Sequence, residues 1–346
     1  MKISDHEILM RKGDDFHTHL RTGPLLEKVV RFTAQQFQRA LIMPNTLPNP
    51  IVVGQAAQVY AADIKAVVAD QHIPGGKDFQ PLMTIKLLES TTPEMIKEAH
   101  RCGVIAAKAY PRGVTTNSED GIADFKKMYG VFEVMQKVGM ALCLHGQVPE
   151  AFILDRETLF LQVLDEIVGN FRELRIVLEH VSTSAAVNHV RLLPERVAAT
   201  ITAHHLVLTL DDIIGKKGLN PHAFCQPIAQ RPKDRDAVLA AAISGNPKFF
   251  FGSDSAPHLK EKKECGCGAA GVFSAPVLLP FLVSLFNSYG RLERLEPFLS
   301  EFGADFYRLP RNSEEITLIK EKWIVPENID GIVPFLAGQE LEWKVV

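Results

Sequence analysis

The sequence predicts an α/β fold and, within that class, a (β/α)8 TIM-type barrel. Short apolar runs of strand-forming residues alternate with longer segments that have helical periodicity. There are eight such runs, and the first ends in HTHLRTG, not in the glycine-rich turn typical of an open, doubly wound sheet. The predicted strands are Asp15–Leu20, Arg39–Met43, Gln80–Leu87, Val104–Ala109, Ala141–His145, Arg175–His180, Val197–Thr202 and Lys248–Gly252.

Amphipathic helices are predicted between these strands. In the segment Thr92–Cys102, Thr92 is placed to cap the helix and Pro93 stands at its first position. Asp120–Val138 and Arg156–Asn170 also show helical periodicity.

The length of 346 residues suits either one large barrel or two domains of about 150 residues each. No linker-like tract, internal repeat or low-complexity segment interrupts the alternation of strands and helices. We therefore predict a single barrel domain over residues 1–346, with residues 313–346 as a C-terminal extension that packs back on it.

Composition excludes several classes of function. The net charge of −3 argues against bulk electrostatic binding to nucleic acid or to an anionic membrane. The most apolar segment, Val277–Phe286, is much shorter than the roughly 18 residues of a membrane span, and no apolar signal segment opens the chain. Five cysteines are too few for a disulfide scaffold, so we expect a reducing, cytoplasmic location.

Polar residues stand where several predicted strands end, the edge at which a parallel α/β barrel carries its active site. His17 and His19 lie at the end of the first strand, and residues two apart in a strand point to the same side. Both imidazoles can therefore face one metal ion, although two solvated histidines would give the same pattern.

Lys108 closes the fourth predicted strand after the apolar run VIAA. A buried lysine is costly unless its amine reaches solvent, finds a partner or loses its charge. Reaction with CO₂ would give a carbamate, an anionic oxygen ligand able to bridge two metal ions. The alternative is a lysine whose amine extends to the surface.

Three later strands also end in potential ligands. His145 and His180 each follow an apolar run, and Asp254 follows the last strand. Hydrogen-bonded structural histidines and an aspartate that caps the next segment are the alternatives. Taken together, the set offers imidazole and oxygen donors for two divalent ions, with zinc as the first choice, although other divalent ions accept these donors. The six candidate ligands are His17, His19, Lys108, His145, His180 and Asp254.

Seven segments carry a resemblance to a known family. They are DDFHTHLRTG at 14–23, MPNTLPNP at 43–50, KAYPRGVTTNS at 108–118, LCLHGQVP at 142–149, LEHVST at 178–183, GSDSAPH at 252–258 and VPFLAG at 333–338. Over essentially its full length, the chain resembles the amidohydrolase superfamily and, within it, the monofunctional class II bacterial dihydroorotases. The HxH pair marks only the superfamily, whereas Arg21, Asn45 and the Thr115–Thr116 pair are more specific.

The resemblance implies a hydrolase acting on cyclic amide C–N bonds. Its reaction would be the zinc-dependent, reversible cyclisation of N-carbamoyl-L-aspartate to L-dihydroorotate in pyrimidine biosynthesis. The resemblance further implies two zinc ions bridged by a hydroxide, with Asp254 as general acid and base. The implied ligands are His17, His19, Lys108 and Asp254 for one ion, and carboxylated Lys108, His145 and His180 for the other.

The resemblance also implies a set of substrate-binding residues and a homodimer. Arg21, Asn45 and His258 would bind the substrate carboxylate, for which the arginine fork is well suited. Thr115 and Thr116 would belong to a mobile loop that closes over the substrate. Backbone groups at Gln226 and Ala270 would hold the pyrimidine ring. This chain reads Cys225-Gln226-Pro227 where the family often has Cys-Leu-Pro.

Two other functions stay open from the sequence. One is another cyclic amidase, such as a hydantoinase or allantoinase, but Arg21, Asn45 and the threonine pair favour an acidic ring substrate. The other is a non-catalytic amidohydrolase-like scaffold that serves as an assembly partner. The complete ligand set favours catalysis.

The sequence also leaves some potential metal ligands outside this scheme. Cys225, Cys265 and Cys267 offer three thiols for a soft metal, but no fourth ligand is evident. We expect reduced cysteines near the mouth of the barrel, and structural or supporting roles for His204 and His205.

Overall fold

Eight parallel strands form a nearly closed barrel in the computed structural model, which describes residues 1–215 and 218–346. The strands of the described residues are β1 (Lys2–Ile3), β2 (Glu7–Arg11), β3 (Gly13–Thr18), β4 (Phe37–Ile42), β5 (Gln80–Leu87), β6 (Ala106–Ala109), β7 (Ala141–Leu144), β8 (Ile176–Leu178), β9 (Val197–Ile201), β10 (Gly218–Leu219), β11 (Phe249–Phe251), β12 (Glu315–Ile324) and β13 (Glu340–Val345). In the barrel, β3 to β9 pair in the order of the sequence and β11 follows β9.

The segment after β11 joins the last barrel strand to the first. The backbone N–H of Asp254 donates to the carbonyl of His17 at 2.7 Å, and the N–H of His19 donates to that of Ser255 at 3.0 Å. Asp15, buried in β3, accepts hydrogen bonds from the backbone N–H and the hydroxyl of Ser253 at 2.7 and 2.6 Å. The barrel is therefore closed at its carboxyl edge, next to the predicted site.

Helices surround the barrel and cover its strands. They are α1 (Pro24–Gln36), α2 (Gly54–Asp70), α3 (Pro93–Arg101), α4 (Tyr129–Val138), α5 (Arg156–Asn170), α6 (Ser184–Leu192), α7 (Leu210–Ile214), α8 (Pro232–Ala242), α9 (Lys260–Lys263), α10 (Leu278–Ser288), α11 (Leu295–Ser300) and α12 (Phe302–Tyr307). No helix within the described ranges has both the length and the apolar character needed to cross a bilayer.

Apolar side chains fill the interior of the barrel beneath the site. Phe16 of β3 stacks on Tyr307 of α12 with ring centroids 5.0 Å apart, and it meets Phe250 of β11 edge-on at 5.4 Å. A larger apolar core lies between the strands and the surrounding helices. Because apolar side chains fill the interior, the site lies at the carboxyl edge of the barrel and not in a channel through it.

The eight predicted barrel strands are confirmed, with ends shifted by up to two residues. The predicted helix Arg156–Asn170 coincides with α5, and Thr92 caps α3 by accepting a hydrogen bond from the N–H of Met95 at 3.3 Å. The predicted helix Asp120–Val138 is wrong over nearly its first half, because α4 begins only at Tyr129, after a 3₁₀ turn at Phe125–Met128.

Backbone pairing explains the late start of α4. The N–H of Ile122 donates to the carbonyl of Tyr110 at 2.8 Å, and the N–H of Arg112 donates to the carbonyl of Ile122 at 3.1 Å. These bonds tie residues near Ile122 to the segment that follows β6. The side chain of Asp124 then caps the 3₁₀ turn by accepting from the N–H of Lys126 at 2.9 Å.

A second, antiparallel sheet lies beside the barrel, with strand order β1-β2-β12-β13. In β12, Ile316 and Leu318 are buried and alternate with more exposed residues, as expected for a strand with one covered face. Residues 313–346 thus contribute two strands, of which β12 pairs with the N-terminal β2 and β13 pairs with β12. The assignment of the whole chain to one domain stays a prediction.

Candidate active site

The predicted site residues come together in one pocket at the carboxyl edge of the barrel. Every predicted site residue except Lys108 lines it. The lining consists of His17, His19, Arg21, Asn45, Tyr110, Thr115, Thr116, Asn117, His145, His180, Gln226, Asp254, Ala256, His258, Ala270 and Gly271. This concave, largely polar lining suits a small polar ligand.

Four lining residues other than glycine have left-handed backbone conformations: Asn117, with a φ angle of 60°, and three residues near strand ends. The φ angle is 61° at Arg21, 43° at His180 and 44° at Asp254. Each of these residues directly follows, or stands just beyond, the end of a barrel strand. Such strain is tolerated where the surrounding structure enforces it, and it clusters at functional sites.

Asp254 contacts both histidines of the HxH pair. Its Oδ1 lies 3.1 Å from Nε2 of His19 and 3.4 Å from Nε2 of His17. Burial opposes ionisation of Asp254, but the hydrogen bond with His19 and the nearby His17 hold the pKa of Asp254 below its ordinary value. Burial lowers the pKa of His19 to about 4, which favours the neutral imidazole that binds metal. The three side chains form a candidate metal-binding group.

The ring of His17 is oriented by a partner that the sequence analysis missed. Nδ1 of His17 lies 2.7 Å from Oε2 of buried Glu179, which also accepts a hydrogen bond from the hydroxyl of Thr200 at 2.6 Å. Carboxylates in this position fix the tautomer of metal-binding histidines. In the sequence, Glu179 is recognisable only as a charged residue at the end of an apolar strand, directly before His180.

Lys108 is completely buried below the pocket lining. Its Nζ has no hydrogen-bond partner among the described residues and lies 5.2 Å from the ring centroid of Tyr110. Burial lowers the pKa of Lys108, only partly offset by the negative charge of Glu179. The predicted alternative, an amine that extends to the surface, is therefore wrong.

His145 and His180 lie next to each other, with ring centroids 4.6 Å apart. The ring of His180 is also 5.1 Å from that of His17, so it stands between the two predicted ligand groups. Burial lowers the pKa of His145 to about 3 and that of His180 further below its ordinary value. Nδ1 of His180 has no partner among the described residues.

Arg21 and His258 form the cationic and polar side of the pocket. Nη2 of Arg21 lies 3.0 Å from Nε2 of His258, and its Nε donates to the carbonyl of Pro257 at 3.0 Å. Burial and the charge of Arg21 lower the pKa of His258 to about 2, so His258 is neutral at pH 7. Asn45 also lines the pocket, and its Oδ1 is buried without a partner among the described residues.

The loop with Thr115 and Thr116 contacts the segment that carries Ala270. The hydroxyl of Thr116 accepts a hydrogen bond from the N–H of Ala270 at 3.3 Å. The segment with Ala270 is bound in turn to the one with Gln226, because the N–H of Gly271 donates to the carbonyl of Phe224 at 3.0 Å. The three predicted substrate-binding segments therefore form one connected rim.

The three cysteines differ in exposure. Cys265 and Cys267 are exposed with their sulfurs 3.5 Å apart, whereas Cys225 is buried beside His205. Tyr110 and Asn117 line the pocket although the sequence analysis did not select them. Their position beside Lys108 and the threonine pair was the only signal in the sequence.

Comparison with known proteins identifies the family. A dihydroorotase from Teredinibacter turnerae is 44% identical over 350 residues, covering 99% of this chain and 99% of the relative. The chain belongs to the dihydroorotase family. A comparison with models of protein families finds no match.

Solved dihydroorotases also share the structure. The enzyme from Saccharomyces cerevisiae, in complex with 5-fluoroorotic acid, is 35% identical with a TM-score of 0.90, covering 99% of this chain and 98% of its own. The dihydroorotase from Campylobacter jejuni is 34% identical with a TM-score of 0.88, covering 100% of this chain and 99% of its own. The predicted family, barrel fold and hydrolase class are confirmed.

Proposed function

We propose that the protein catalyses the reversible cyclisation of N-carbamoyl-L-aspartate to L-dihydroorotate, a step of pyrimidine biosynthesis. Membership of the dihydroorotase family supports this reaction. The observation that carries the proposal is one pocket that holds both the Asp254–histidine group and the side chains of Arg21 and His258. The yeast relative was solved with 5-fluoroorotic acid, a ring that carries a carboxylate, which agrees with an acidic ring substrate here.

The residues present fit a pair of divalent metal ions. Nζ of Lys108 and Nδ1 of His180 are buried without partners among the described residues, which is costly unless a further group satisfies them. Lys108 in its neutral form can add to CO₂, so that an N–C bond forms, a proton leaves and a carbamate results. We assign zinc to both sites. The proposed ligands are His17, His19, carboxylated Lys108 and Asp254 for one ion, and carboxylated Lys108, His145 and His180 for the other.

When bound, two such ions polarise an amide carbonyl and lower the pKa of water. Asp254 moves the proton. In ring opening its carboxylate accepts the proton of the attacking water and returns it to the ring nitrogen that leaves. In ring closure the same carboxylate takes the proton from the carbamoyl nitrogen, which bonds to the carboxyl carbon, and returns that proton to the oxygen that leaves as water. Its lowered pKa keeps it in the accepting form at neutral pH.

The other pocket residues bind and enclose the substrate. Arg21, Asn45 and His258 hold the carboxylate, with the arginine supplying the charge. The loop with Thr115 and Thr116 excludes water. Backbone groups at Gln226 and Ala270 hold the ring, so the departure at Gln226 from the family pattern affects binding only if its side chain turns into the pocket.

An assay in both directions, with metal content measured on the same sample, tests this function. We expect turnover of both dihydroorotate and carbamoyl aspartate, and little hydrolysis of uncharged hydantoins. Metal-replete protein that processes neither compound, or that hydrolyses hydantoins equally well, would contradict the proposal. We also propose a cytoplasmic location and a homodimer, which fractionation and light scattering would test.

A further inference from the structure

A second group of potential metal ligands lies outside the pocket. His204 and His205 follow β9, and Cys225 precedes the Gln226–Pro227 segment. All three are buried, with at most 2% of each residue exposed. One ligand atom of each lies within 4.8 Å of the other two. The topology thus brings together two imidazoles and a thiol from segments about 20 residues apart in the chain.

His204 is the anomaly in this group. It is completely buried, and neither of its ring nitrogens has a hydrogen-bond partner among the described residues. Buried side-chain nitrogens normally find a protein or water partner, because leaving one unsatisfied destabilises the fold. One of these nitrogens lies within 4.8 Å of the potential ligand atoms of His205 and Cys225.

A backbone oxygen completes a four-atom set. The carbonyl oxygen of Pro227 lies 3.2 Å from Sγ of Cys225 and 3.0 Å from Nε2 of His205, and these two side-chain atoms are 3.8 Å apart. Bonds of about 2.0–2.3 Å to a tetrahedral ion place neighbouring ligand atoms roughly 3.3–3.8 Å apart. Small movements would therefore convert these contacts into a coordination shell.

The remaining nitrogen of His205 is already supported in the manner of a metal ligand. Its Nδ1 lies 2.9 Å from the hydroxyl of Thr202, which leaves Nε2 facing Cys225. Metal-binding histidines usually have such a partner on their second nitrogen, which orients the ring.

We propose that His204, His205 and Cys225, with the carbonyl oxygen of Pro227, bind one divalent zinc-type ion. A thiolate with two imidazoles favours zinc over magnesium, calcium or manganese. The thiol proton of Cys225 passes to solvent as the Sγ–metal bond forms. All four positions come from the protein, so the ion is structural, and it fastens the segment of Gln226 to the end of β9.

Cobalt substitution tests this site separately from the proposed reaction. The six candidate ligands of the active site include no thiolate, so Co²⁺ bound there gives no sulfur-to-cobalt charge-transfer absorption. We expect the cobalt-loaded protein to show this near-ultraviolet band. The Cys225→Ser variant should lose the band and bind one ion fewer per chain by elemental analysis. The double variant Cys265→Ser/Cys267→Ser is the matched control and should keep both.

Two results would overturn the site: no band in the cobalt-loaded parent protein, or a band that survives Cys225→Ser. If Cys225→Ser does not fold, His204→Leu decides, because it keeps the thiol but removes an unpartnered ligand. Loss of one ion per chain in His204→Leu supports the site, and an unchanged metal count contradicts it. None of these measurements depends on turnover, so failure of the proposed reaction would leave this test intact.

Discussion

Lys86 of barrel strand β5 forms an ion pair with Asp120 of the loop that contributes Thr115 and Thr116 to the pocket. The side chain of Lys86 is only 2% exposed, and its amine also donates to the carbonyl of Asn117 at 2.9 Å. Both partners of this buried cation therefore belong to one loop. Movement of that loop away from the barrel would leave the charge of Lys86 unpaired, which disfavours opening.

Replacement of Lys86 should loosen this loop. In Lys86→Met we expect faster hydrogen exchange in residues 113–120 and a kcat/KM about 10- to 150-fold lower, because hydrogen bonds to charged groups are worth about 1.5–3 kcal/mol. Metal content should not change. Lys127→Met, which removes the exposed pair with Glu89, is the control. Equal exchange rates in the parent and Lys86→Met would show that the pair does not hold the loop.

Arg21 should act through the substrate carboxylate. Arg21→Met removes the positive charge, so KM should rise sharply while the metal count stays the same. Loss of one buried charge-assisted contact is worth roughly 2–5 kcal/mol, or about 30-fold to several thousand-fold in kcat/KM. Arg31→Met removes an exposed pair with Asp330 and serves as the control. Normal hydrolysis of dihydroorotate by Arg21→Met would refute the assignment.

Asp254→Asn should separate metal binding from proton transfer. The amide keeps the size of the side chain and one oxygen donor but cannot carry the proton. We expect both reaction directions to slow by more than about 100-fold, the scale of general acid–base catalysis, with much of the metal retained. Steady-state rates and elemental analysis on the same sample provide the check. Near-parental rates in metal-replete protein would remove Asp254 from the proton pathway.

Lys108→Ala should lose metal as well as activity, because it removes the proposed bridge between both ions. Chelation of the parent protein should likewise abolish turnover, and added zinc should restore it. Lys97→Ala, at an exposed position on α3, is the control and should bind metal normally. Retention of two ions per chain in Lys108→Ala would contradict the bridging role.

Glu157 should make stability depend on pH. Burial raises its pKa from 4.5 to about 7, against opposing hydrogen bonds from Thr183 and Ser182. The folded state therefore binds this proton more tightly than the unfolded state does. The resulting contribution to the free energy of unfolding is complete below about pH 4.5 and is lost as the pH rises through 7. Relative to Glu157→Gln, the parent should lose on the order of 3 kcal/mol between pH 4.5 and pH 8. Urea unfolding measures this loss, and exposed Glu166→Gln should show no such difference.

The barrel and the ligand positions are predictable from the sequence because both depend on local patterns. An apolar run followed by a histidine, lysine or aspartate marks a strand end, and parallel topology brings all strand ends to one edge. Other features depend on contacts between distant residues. The pairing of His17 with Glu179 spans 162 positions, and the salt bridge of Lys86 with Asp120 spans 34. No periodicity encodes either contact.

Contacts between residues distant in the sequence also explain why the start of α4 was predicted wrongly and why the second sheet was not predicted. The early residues of the predicted helix Asp120–Val138 have adequate propensity, but pairing of Ile122 with Tyr110 holds that region outside the helix. The pairing of β2 with β12 joins segments about 300 residues apart, and tertiary packing selects it.

The contact of Asp15 with Ser253 bridges 238 positions in the chain. His17 and Asp254 meet across this same seam between the first and last barrel strands. Joining such distant segments carries the entropy of closing a very long loop, so we expect the seam to form late in folding. A partly folded chain with an open barrel would lack the His17–Asp254 contact and therefore the candidate metal-binding group of His17, His19 and Asp254. Recovery of catalysis during refolding would therefore report the final closure of the barrel, whereas recovery of helical signal would report only the steps before it.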